Sequence, residues 1–188
     1  MTTPRRLIVA VTGASAPQLA WTLLEALTQI PGIETHLVIS RHADNTLRAE
    51  MGVGRGDFAA LADVTHDPDD MAAAISSGSF VTAGMVIVPC SMKTLAAVAT
   101  GLSCDLVARA ADVTLKERRR LVLVTRETPL NLIHIRNMQA VTLAGAVVLP
   151  PVPAFYHRPQ TIDGVLRHIA GKILDQFGVD HDLFQRWS

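Results

Sequence analysis

Short, nearly continuous apolar runs of Val, Ile and Leu alternate along this chain with longer segments of helical spacing. A run that is apolar on both faces is typical of a strand buried between two layers, as in parallel sheets. Five such runs predict strands, at 6–12, 34–40, 85–89, 121–125 and 146–149. Seven helices are predicted, at 17–29, 42–51, 69–75, 92–101, 106–119, 130–143 and 162–177. The alternation predicts an α/β fold with a doubly wound parallel sheet and helices on both faces.

The length and the apolar content of the chain suggest a single domain that associates with itself. At 188 residues the chain has the size of one domain, and no linker, repeat or low-complexity tract divides it. We therefore expect one domain over residues 1–188. Hydrophobic residues make up 49% of the chain and charged residues 18%, with a mean hydropathy of +0.29. A monomer of this composition has more apolar surface than it can bury, so a homo-oligomer is expected.

Charge and segment lengths argue against nucleic acid, membrane and export. The 17 basic and 17 acidic side chains cancel, so the chain lacks the positive field that attracts nucleic acid. The longest uncharged run, residues 137–156, contains polar residues and three prolines, which argues against a membrane span. The five-residue apolar run after Arg5 and Arg6 is too short for a signal peptide. Two cysteines without a C-x-x-C spacing fit reduced thiols, so a cytoplasmic location is expected.

Small, hydroxyl and charged residues close or follow four of the predicted strands. In an open parallel sheet, ligands bind beyond the carboxyl ends of the strands, where helix N-termini present free N–H groups. The residues at these positions are Thr12-Gly13-Ala14-Ser15, Ser40, Cys90-Ser91-Met92-Lys93-Thr94 and Arg126-Glu127. Any one hydroxyl fits an ordinary helix cap, but their convergence on one edge predicts a phosphate-bearing ligand. Neither a Walker A motif nor G-x-G-x-x-G is present, which disfavours ATP and dinucleotides.

Three further segments have features that the residues alone leave open. Arg109, Asp112 and Lys116 share one face of a predicted helix, either as a solvated stripe with an Asp112–Lys116 ion pair or as part of a site. The proline-rich stretch 150–159 is either a stiff crossover loop or an apolar wall with a phosphate-binding rim. The alternating glycines at 52–56 favour a mobile loop over a phosphate cradle. Seven histidines without ligand spacing give no indication of a metal site.

Several runs of residues between Leu7 and about Phe177 form a combination that indicates a family. The runs are Thr12-Gly13-Ala14-Ser15, 76–80, 89–96, 109–113, 115–119, 126–130 and 150–159. Together they resemble the UbiX/Pad flavin prenyltransferase family, and the stretch 61–79 is most similar to the branch that accompanies hydroxyarylic acid decarboxylases. The predicted sheet is then of the Rossmann/flavodoxin-like kind. One departure is Ala16 followed by Pro17, where the family usually has a glycine.

The resemblance implies an enzyme that joins the dimethylallyl group of dimethylallyl phosphate to reduced FMN. The product is prenylated FMN, the cofactor of UbiD-type decarboxylases, and the reaction needs no metal. The family also implies a homododecamer. The alternative function is a non-catalytic FMN-binding carrier subunit of a hydroxyarylic acid decarboxylase system. Flavoprotein cysteine decarboxylases share the flavin fold, but their Pro-x-Met-Asn-type segment is not found in this chain.

The resemblance also implies roles for individual residues. The FMN-binding positions are matched by Gly13, Ala14, Ser15, Ser40, Ser91, Met92, Lys93, Thr94 and Arg126. The residues that bind the phosphate of the prenyl donor are matched by Arg109, Lys116, Tyr156 and Lys172. The catalytic positions are matched by Glu50, Ser15, Lys116 and Glu127. Glu50 is expected near the reacting flavin, where a carboxylate can move a proton, and the cations are expected to stabilise the leaving phosphate.

Overall fold

A parallel sheet of six strands forms the centre of the protein. In the computed structural model, which describes residues 4–187, the strands are β1 Arg5–Val11, β2 Ile33–Ile39, β3 Val64–His66, β4 Gly84–Cys90, β5 Arg120–Thr125 and β6 Val147–Val148. Their order across the sheet is β3-β2-β1-β4-β5-β6, and every neighbouring pair is parallel. The order reverses at β1, because the chain moves outward through β2 to β3 and then returns to β4 on the other side.

Helices cover both faces of the sheet and separate two hydrophobic cores. The helices are α1 Pro17–Thr28, α2 Ala43–Met51, α3 Arg55–Ala59, α4 Met92–Thr100, α5 Leu106–Lys116, α6 Leu132–Leu143 and α7 Ile162–Gln176. Buried side chains of α1, α2, α3 and α7 form one core with the sheet, and those of α4, α5 and α6 form the other. The prediction of a doubly wound α/β domain is therefore confirmed.

The strands read as continuous apolar runs because both of their faces are covered. In β1, Leu7 and Val9 pack into the core beneath α1 and α7, whereas Ile8 and Ala10 pack into the core beneath α5. All four side chains are 2% exposed or less. Burial on both faces is the usual condition of a parallel strand, and it removes the polar alternation of a half-exposed strand.

The helix predicted at 69–75 is wrong. This segment forms turns followed by a short 3-10 helix at Ala74–Ser76. The Asp67 carboxylate accepts a hydrogen bond from the Asp69 N–H at 3.0 Å, and the Asp70 carboxylate accepts one from the Ala72 N–H at 3.0 Å. Aspartates that bind nearby backbone N–H groups stabilise turns at the expense of a helix.

The strand β3 and the helix α3 are missing from the sequence prediction. β3 has three residues at the edge of the sheet, a length at which hydrophobic periodicity is not detectable. The loop predicted at 52–56 is shorter than expected, because it covers only residues 52–54 and α3 begins at Arg55. Gly52 ends α2 in the left-handed conformation, with φ 70°, and Gly54 is the N-cap of α3. The alternating glycines therefore join two helices.

The longest described helix, α7, has 15 residues. Among residues 4–187, none of the helices combines the length and the apolar character needed to cross a membrane.

Candidate functional site at the carboxyl edge of the sheet

The carboxyl ends of β1 and β4 meet where the strand order reverses, and the two loops that follow them are joined by hydrogen bonds. Thr12 Oγ1 donates to the Pro89 carbonyl at 2.7 Å and accepts from the Ser91 N–H at 2.9 Å. A crevice of this kind is the usual ligand site of an open parallel sheet. Gly13 is needed here because a Cβ atom at this position would lie 2.9 Å from the His42 carbonyl oxygen.

The amino end of α4 presents hydroxyl groups and backbone donors at this crevice. Ser91 is the N-cap, and its Oγ accepts from the Thr94 N–H at 3.3 Å. The two hydroxyl oxygens are 3.1 Å apart. The helix-cap interpretation of Ser91 is therefore correct, but this cap binds only one of the free backbone N–H groups in the first turn of α4. The remaining N–H groups and the helix dipole favour an anion.

Two neighbouring strands add polar groups to the same edge. The Ser40 N–H donates to the Val11 carbonyl at 2.9 Å, and the Arg126 N–H donates to the Cys90 carbonyl at 3.1 Å. The side chain of Thr125 is 3% exposed, and its hydroxyl has no hydrogen-bond partner within residues 4–187. This residue directly precedes the half-buried Arg126 at the end of β5.

Glu50, at the end of α2, reaches the loop between β1 and α1. Its carboxylate accepts a hydrogen bond from the Ala16 N–H at 3.0 Å, and its carbonyl accepts one from Gln18 Nε2 at 3.2 Å. Glu50 is exposed, but the Ala16 contact holds it next to Ser15. We call the residues gathered here the edge cluster: Gly13, Ala14, Ser15, Ser40, Glu50, Ser91, Met92, Lys93, Thr94 and Arg126.

Two further features of this edge were not anticipated from the sequence. The Arg55 guanidinium donates to the Ile39 carbonyl at 2.9 Å and to the Ser40 carbonyl at 2.7 Å, which places a positive charge at the end of β2. The sequence did not indicate this role because Arg55 lies among glycines assigned to a loop.

The second feature is the Cys90 thiol. Burial raises its pKa to about 12, so this thiol stays protonated at neutral pH and is a poor nucleophile.

Arg109 and Lys116 lie together on α5, away from the edge cluster. Arg109 donates to the Asp112 carboxylate at 2.9 Å and to the Ser76 carbonyl at 3.2 Å. Lys116 pairs with Glu117, and this hydrogen bond is the main reason that the pKa of Glu117 is lowered. The Asp112–Lys116 pair expected for a solvated stripe is therefore wrong.

Lys116 lies near the amino ends of the strands, whereas Arg126 lies at their carboxyl ends. α5 ends at Lys116, and β5 begins four residues later at Arg120, whereas Arg126 directly follows the last residue of β5. A six-residue strand spans roughly 20 Å, so the phosphate clamp expected from the sequence is not assembled with the edge cluster in one chain. Glu127 follows Arg126 directly and lies with the edge cluster, exposed, with one carboxylate oxygen accepting from the Thr128 N–H at 3.0 Å.

Tyr156 and Lys172 line a third surface, a groove of about 530 Å³ between the proline-rich loop and α7. The groove has an apolar wall, with Val147, Leu149, Pro150, Val152, Ala154 and Ile169. Tyr156 Oη is 2.9 Å from His168 Nε2, and Lys172 Nζ donates to the Asp175 carboxylate at 3.0 Å. The structure thus fits the interpretation of the stretch 150–159 as an apolar wall with a polar rim. We call this surface the Tyr156 groove.

A surface cavity with a larger volume than the Tyr156 groove, about 840 Å³, lies between α1 and the segment after α7. Its lining has four acidic side chains, Glu25, Asp163, Asp180 and Asp182, against one arginine, Arg167, and among the described residues it includes no predicted site residue. Acidic side chains repel phosphate, so the edge cluster is a better candidate than this cavity for binding a phosphate-bearing ligand.

Comparison with known proteins identifies relatives over nearly the whole chain. The Flavoprotein family model matches residues 1–173. The chain is 56% identical to a probable UbiX-like flavin prenyltransferase of Streptomyces sp. (strain D7), over 97% of this chain and 92% of the relative. The structure of the present chain matches that of AnUbiX (PadA1) in complex with FMN and dimethylallyl pyrophosphate, with a TM-score of 0.96, 51% identity and 98% of both chains covered. It also matches a dodecameric FMN-dependent UbiX-like decarboxylase from Escherichia coli O157:H7, with a TM-score of 0.95, 51% identity, 97% of this chain covered and 99% of the other.

The fold and the family match define a doubly wound flavoprotein. At this identity and coverage the chain belongs to the UbiX-like flavin prenyltransferase family, as its sequence motifs predict.

Proposed function

We propose that this chain joins the dimethylallyl group of dimethylallyl phosphate to reduced FMN and supplies prenylated FMN to a UbiD-type decarboxylase. One observation carries the proposal. The edge cluster occupies the strand-order reversal of a fold that matches, with a TM-score of 0.96, a protein in complex with FMN and dimethylallyl pyrophosphate. Serine and threonine hydroxyls, the N-terminus of α4 and Arg126 are the groups that bind a flavin phosphate.

The residues of the edge cluster divide the work between binding and proton transfer. When bound, reduced FMN supplies the ring nitrogen and the adjacent aromatic carbon that the dimethylallyl group joins. Ser91, Thr94 and the first turn of α4 hold the FMN phosphate, and Arg126 adds a fixed positive charge. Glu50 lies beside Ser15, where its carboxylate takes a proton from the reacting centre.

The cations outside the edge cluster act on the leaving phosphate. Breaking the bond between the allyl carbon and oxygen leaves additional negative charge on that phosphate, so Arg109, Lys116 and Lys172 stabilise the transition state more than the bound donor. Tyr156 donates a hydrogen bond to the same group. The apolar wall of the Tyr156 groove keeps water from the allyl group.

A complete site then requires more than one copy of the chain, because α5 presents Lys116 at the far edge of the sheet. The surface supports association. The exposed fractions of four apolar side chains on α6 are 58% for Leu132, 66% for Ile133, 51% for Ile135 and 82% for Leu143. We propose a homododecamer, the assembly described for the Escherichia coli O157:H7 relative. Contacts between copies cover the α6 side chains and bring together the residues of the site.

We also propose a cytoplasmic protein with one flavin-binding domain over residues 1–188. Both cysteines, Cys90 and Cys104, are free, as expected in a reducing compartment.

The test is to mix the purified protein anaerobically with reduced FMN and dimethylallyl phosphate and to determine the mass of the released flavin. Addition of one prenyl unit is expected. Unchanged FMN that still binds the protein would contradict prenylation and favour the carrier function. A parallel reaction with oxidised FMN is the control, and a third with dimethylallyl pyrophosphate determines which donor is preferred.

A further inference from the structure

Tyr156 is the centre of a cluster of rings that no assigned role explains. His168 lies within hydrogen-bond distance of the phenol, with 2.9 Å between Nε2 and Oη. The ring of His157 stacks on that of His168 with 4.5 Å between centroids and an angle of 9° between planes. Phe184 packs against His168 at 4.6 Å, and Trp187 contacts Tyr156 edge-on at 5.7 Å. The His168 ring is therefore held in one orientation.

The surroundings of His168 decide which of its two nitrogens has the hydrogen. His168 is 5% exposed, and its Nδ1 atom has no hydrogen-bond partner within residues 4–187. Burial is the main cause that lowers the pKa of His168 below its ordinary value of 6.5, and it outweighs the nearby Asp175 carboxylate, which raises this pKa. The ring is therefore mostly neutral at pH 7 and has one N–H. A hydrogen on Nδ1 would be buried without an acceptor. A hydrogen on Nε2 is donated to Tyr156 Oη, so this tautomer is favoured.

This tautomer fixes what the phenol can do. Because Tyr156 Oη accepts from His168, its own hydrogen is free for another acceptor. The Tyr156 side chain is 42% exposed and shares its groove with Lys172. His168 and Lys172 are four residues apart on α7, so both lie on the face that lines the groove. An acceptor placed there meets an O–H donor and an ammonium group together, which is the arrangement that a phosphate group requires.

We propose that His168 is a positioning residue, which donates from Nε2 to Tyr156 Oη and thereby directs the phenol hydrogen at the phosphate of the prenyl donor. The inference rests on the proposed function, because it assumes that the phosphate binds in the Tyr156 groove. The segment after α7 supports the same geometry. A Cβ atom at Gly171 would be 2.5 Å from the Phe184 ring, so the glycine allows Phe184 to pack closely beside His168.

The test measures the dissociation constant of dimethylallyl phosphate by calorimetry, with oxidised FMN bound so that no transfer occurs. His168→Phe keeps a ring of similar size but removes the donor, and is expected to weaken binding roughly 3- to 10-fold, the size of one hydrogen bond. His168→Gln places an amide nitrogen near the position of Nε2 and is expected to restore the affinity to within about 2-fold. In a Tyr156→Phe background, His168→Phe is expected to have no further effect.

Several outcomes would overturn the inference. Independent, additive losses from His168→Phe and Tyr156→Phe would show that His168 does not act through the phenol. The matched control is Phe184→Leu, which loosens the packing of the His168 ring without removing the donor. An equal loss in this variant would assign the effect to packing. If His168→Phe does not fold, His168→Asn replaces it, because its shorter amide lies near Nδ1. Equal affinities of the Asn and Gln variants would then contradict the proposal.

Activity provides the separate readout. With reduced FMN saturating, His168→Phe is expected to raise KM for dimethylallyl phosphate more than it lowers kcat, and to leave the affinity for FMN unchanged. A wild-type protein that does not bind dimethylallyl phosphate would overturn the proposed function together with this inference. A wild-type protein that binds and prenylates, but shows an additive cycle, would overturn only the role of His168.

Discussion

Ala16 has a backbone conformation that an alanine rarely adopts. Its φ of 71° and ψ of 46° are in the left-handed region, at the position where the resemblance described above leads us to expect a glycine. Pro17, the first residue of α1, has a φ fixed by its ring and fits the start of a helix, whereas Ala16 adopts the strained turn before it. The Ala16 N–H is nevertheless used, because Glu50 accepts it at 3.0 Å.

We expect Ala16→Gly to raise the free energy of unfolding by about 0.5 kcal/mol, since relief of left-handed strain exceeds the added flexibility of glycine in the unfolded chain. Urea denaturation measures the change. The control is Ala26→Gly in the interior of α1, which is expected to lower stability by about 1 kcal/mol. Destabilisation by Ala16→Gly would show that the alanine methyl group contributes packing that outweighs the strain.

Asp175 is the most strongly perturbed carboxylate next to the Tyr156 groove. Burial alone would raise its pKa, but hydrogen bonds from Arg186 at 2.7 Å and Lys172 at 3.0 Å, with His181 at 3.2 Å, lower the pKa to about 2. A folded-state pKa below the unfolded value of 3.8 means that the ionised form stabilises the fold. This stabilisation is complete above the unfolded pKa and is lost as the pH falls toward the folded pKa.

Asp175→Asn is therefore expected to lower the free energy of unfolding by about 1–2 kcal/mol at pH 7. The difference from wild type is expected to shrink between pH 4 and pH 2, because the wild type loses the same ionic contribution there. Urea denaturation at a series of pH values measures both effects. A difference that stayed constant down to pH 2 would mean that the aspartate acts through neutral hydrogen bonds. Asp163→Asn, an exposed acid in the first turn of the same helix, is the control.

At the scale of elements, sequence patterns are informative where burial is uniform. The strands in the interior of the sheet are covered on both faces, so their apolar runs are visible in the sequence. The edge strand β3 pairs only with β2 and has too few residues for a pattern. The aspartates at 67–70 compete with the helix that apolar spacing suggests. Hydrophobic periodicity does not account for hydrogen bonds between side chains and the nearby backbone, and the helix prediction failed here for that reason.

The same distinction applies to the candidate site. The edge cluster could be located from the sequence because the carboxyl ends of parallel strands necessarily meet on one edge. Arg55 could not, because its contacts with the carbonyls of Ile39 and Ser40 depend on how α3 folds back over β2. The positions of Lys116 and Tyr156 relative to that edge depend on the path of whole helices and on contacts between copies, which residue spacing does not contain.

The amino end of α4 provides the prediction that belongs to this scale. Ser91→Ala combined with Thr94→Ala removes the two hydroxyls at the α4 terminus, and we expect the affinity for FMN to fall roughly 10- to 100-fold, as for lost hydrogen bonds to a charged phosphate. Fluorescence titration of FMN measures the loss. Thr100→Ala removes a hydroxyl from the other end of α4, where it donates to the Ala96 carbonyl at 2.9 Å, and is the matched control. Undiminished affinity in the double variant would exclude this phosphate site.

For the whole molecule, the arrangement of three separate surfaces around one sheet is the main feature. Glu50 lies at the carboxyl edge, Lys116 at the amino edge, and Tyr156 in its groove beside α7. In the proposed function each surface alone is chemically incomplete for prenyl transfer, because we assign FMN to the edge cluster and the phosphate of the donor to the other two surfaces. A closed oligomer allows surfaces of different copies to form each site, and it also covers the exposed apolar side chains of α6.

This arrangement predicts complementation between two inactive variants. Lys116→Ala is expected to lower single-turnover prenylation by about 10²- to 10³-fold, because it removes a charge that stabilises the leaving phosphate. Glu50→Gln is expected to lower it by about 10²-fold, since the amide keeps the size of the side chain but cannot take the proton. A wild-type rate for Lys116→Ala would instead show that the α5 face only meets solvent.

When the two variants are assembled together at equal amounts, the site of one copy can combine Glu50 from a Lys116→Ala chain with Lys116 from a Glu50→Gln chain. If each site takes these residues from different copies, about a quarter of the sites are intact after random mixing, and the rate is expected to recover to about a quarter of the wild-type value. Coexpression with two affinity tags isolates the mixed oligomers. The control pairs Lys116→Ala with the Lys116→Ala/Glu50→Gln double variant, a mixture that has no intact Lys116 and stays inactive. Mixed oligomers as slow as the separate variants would show that one chain supplies both residues, which contradicts a site shared between copies.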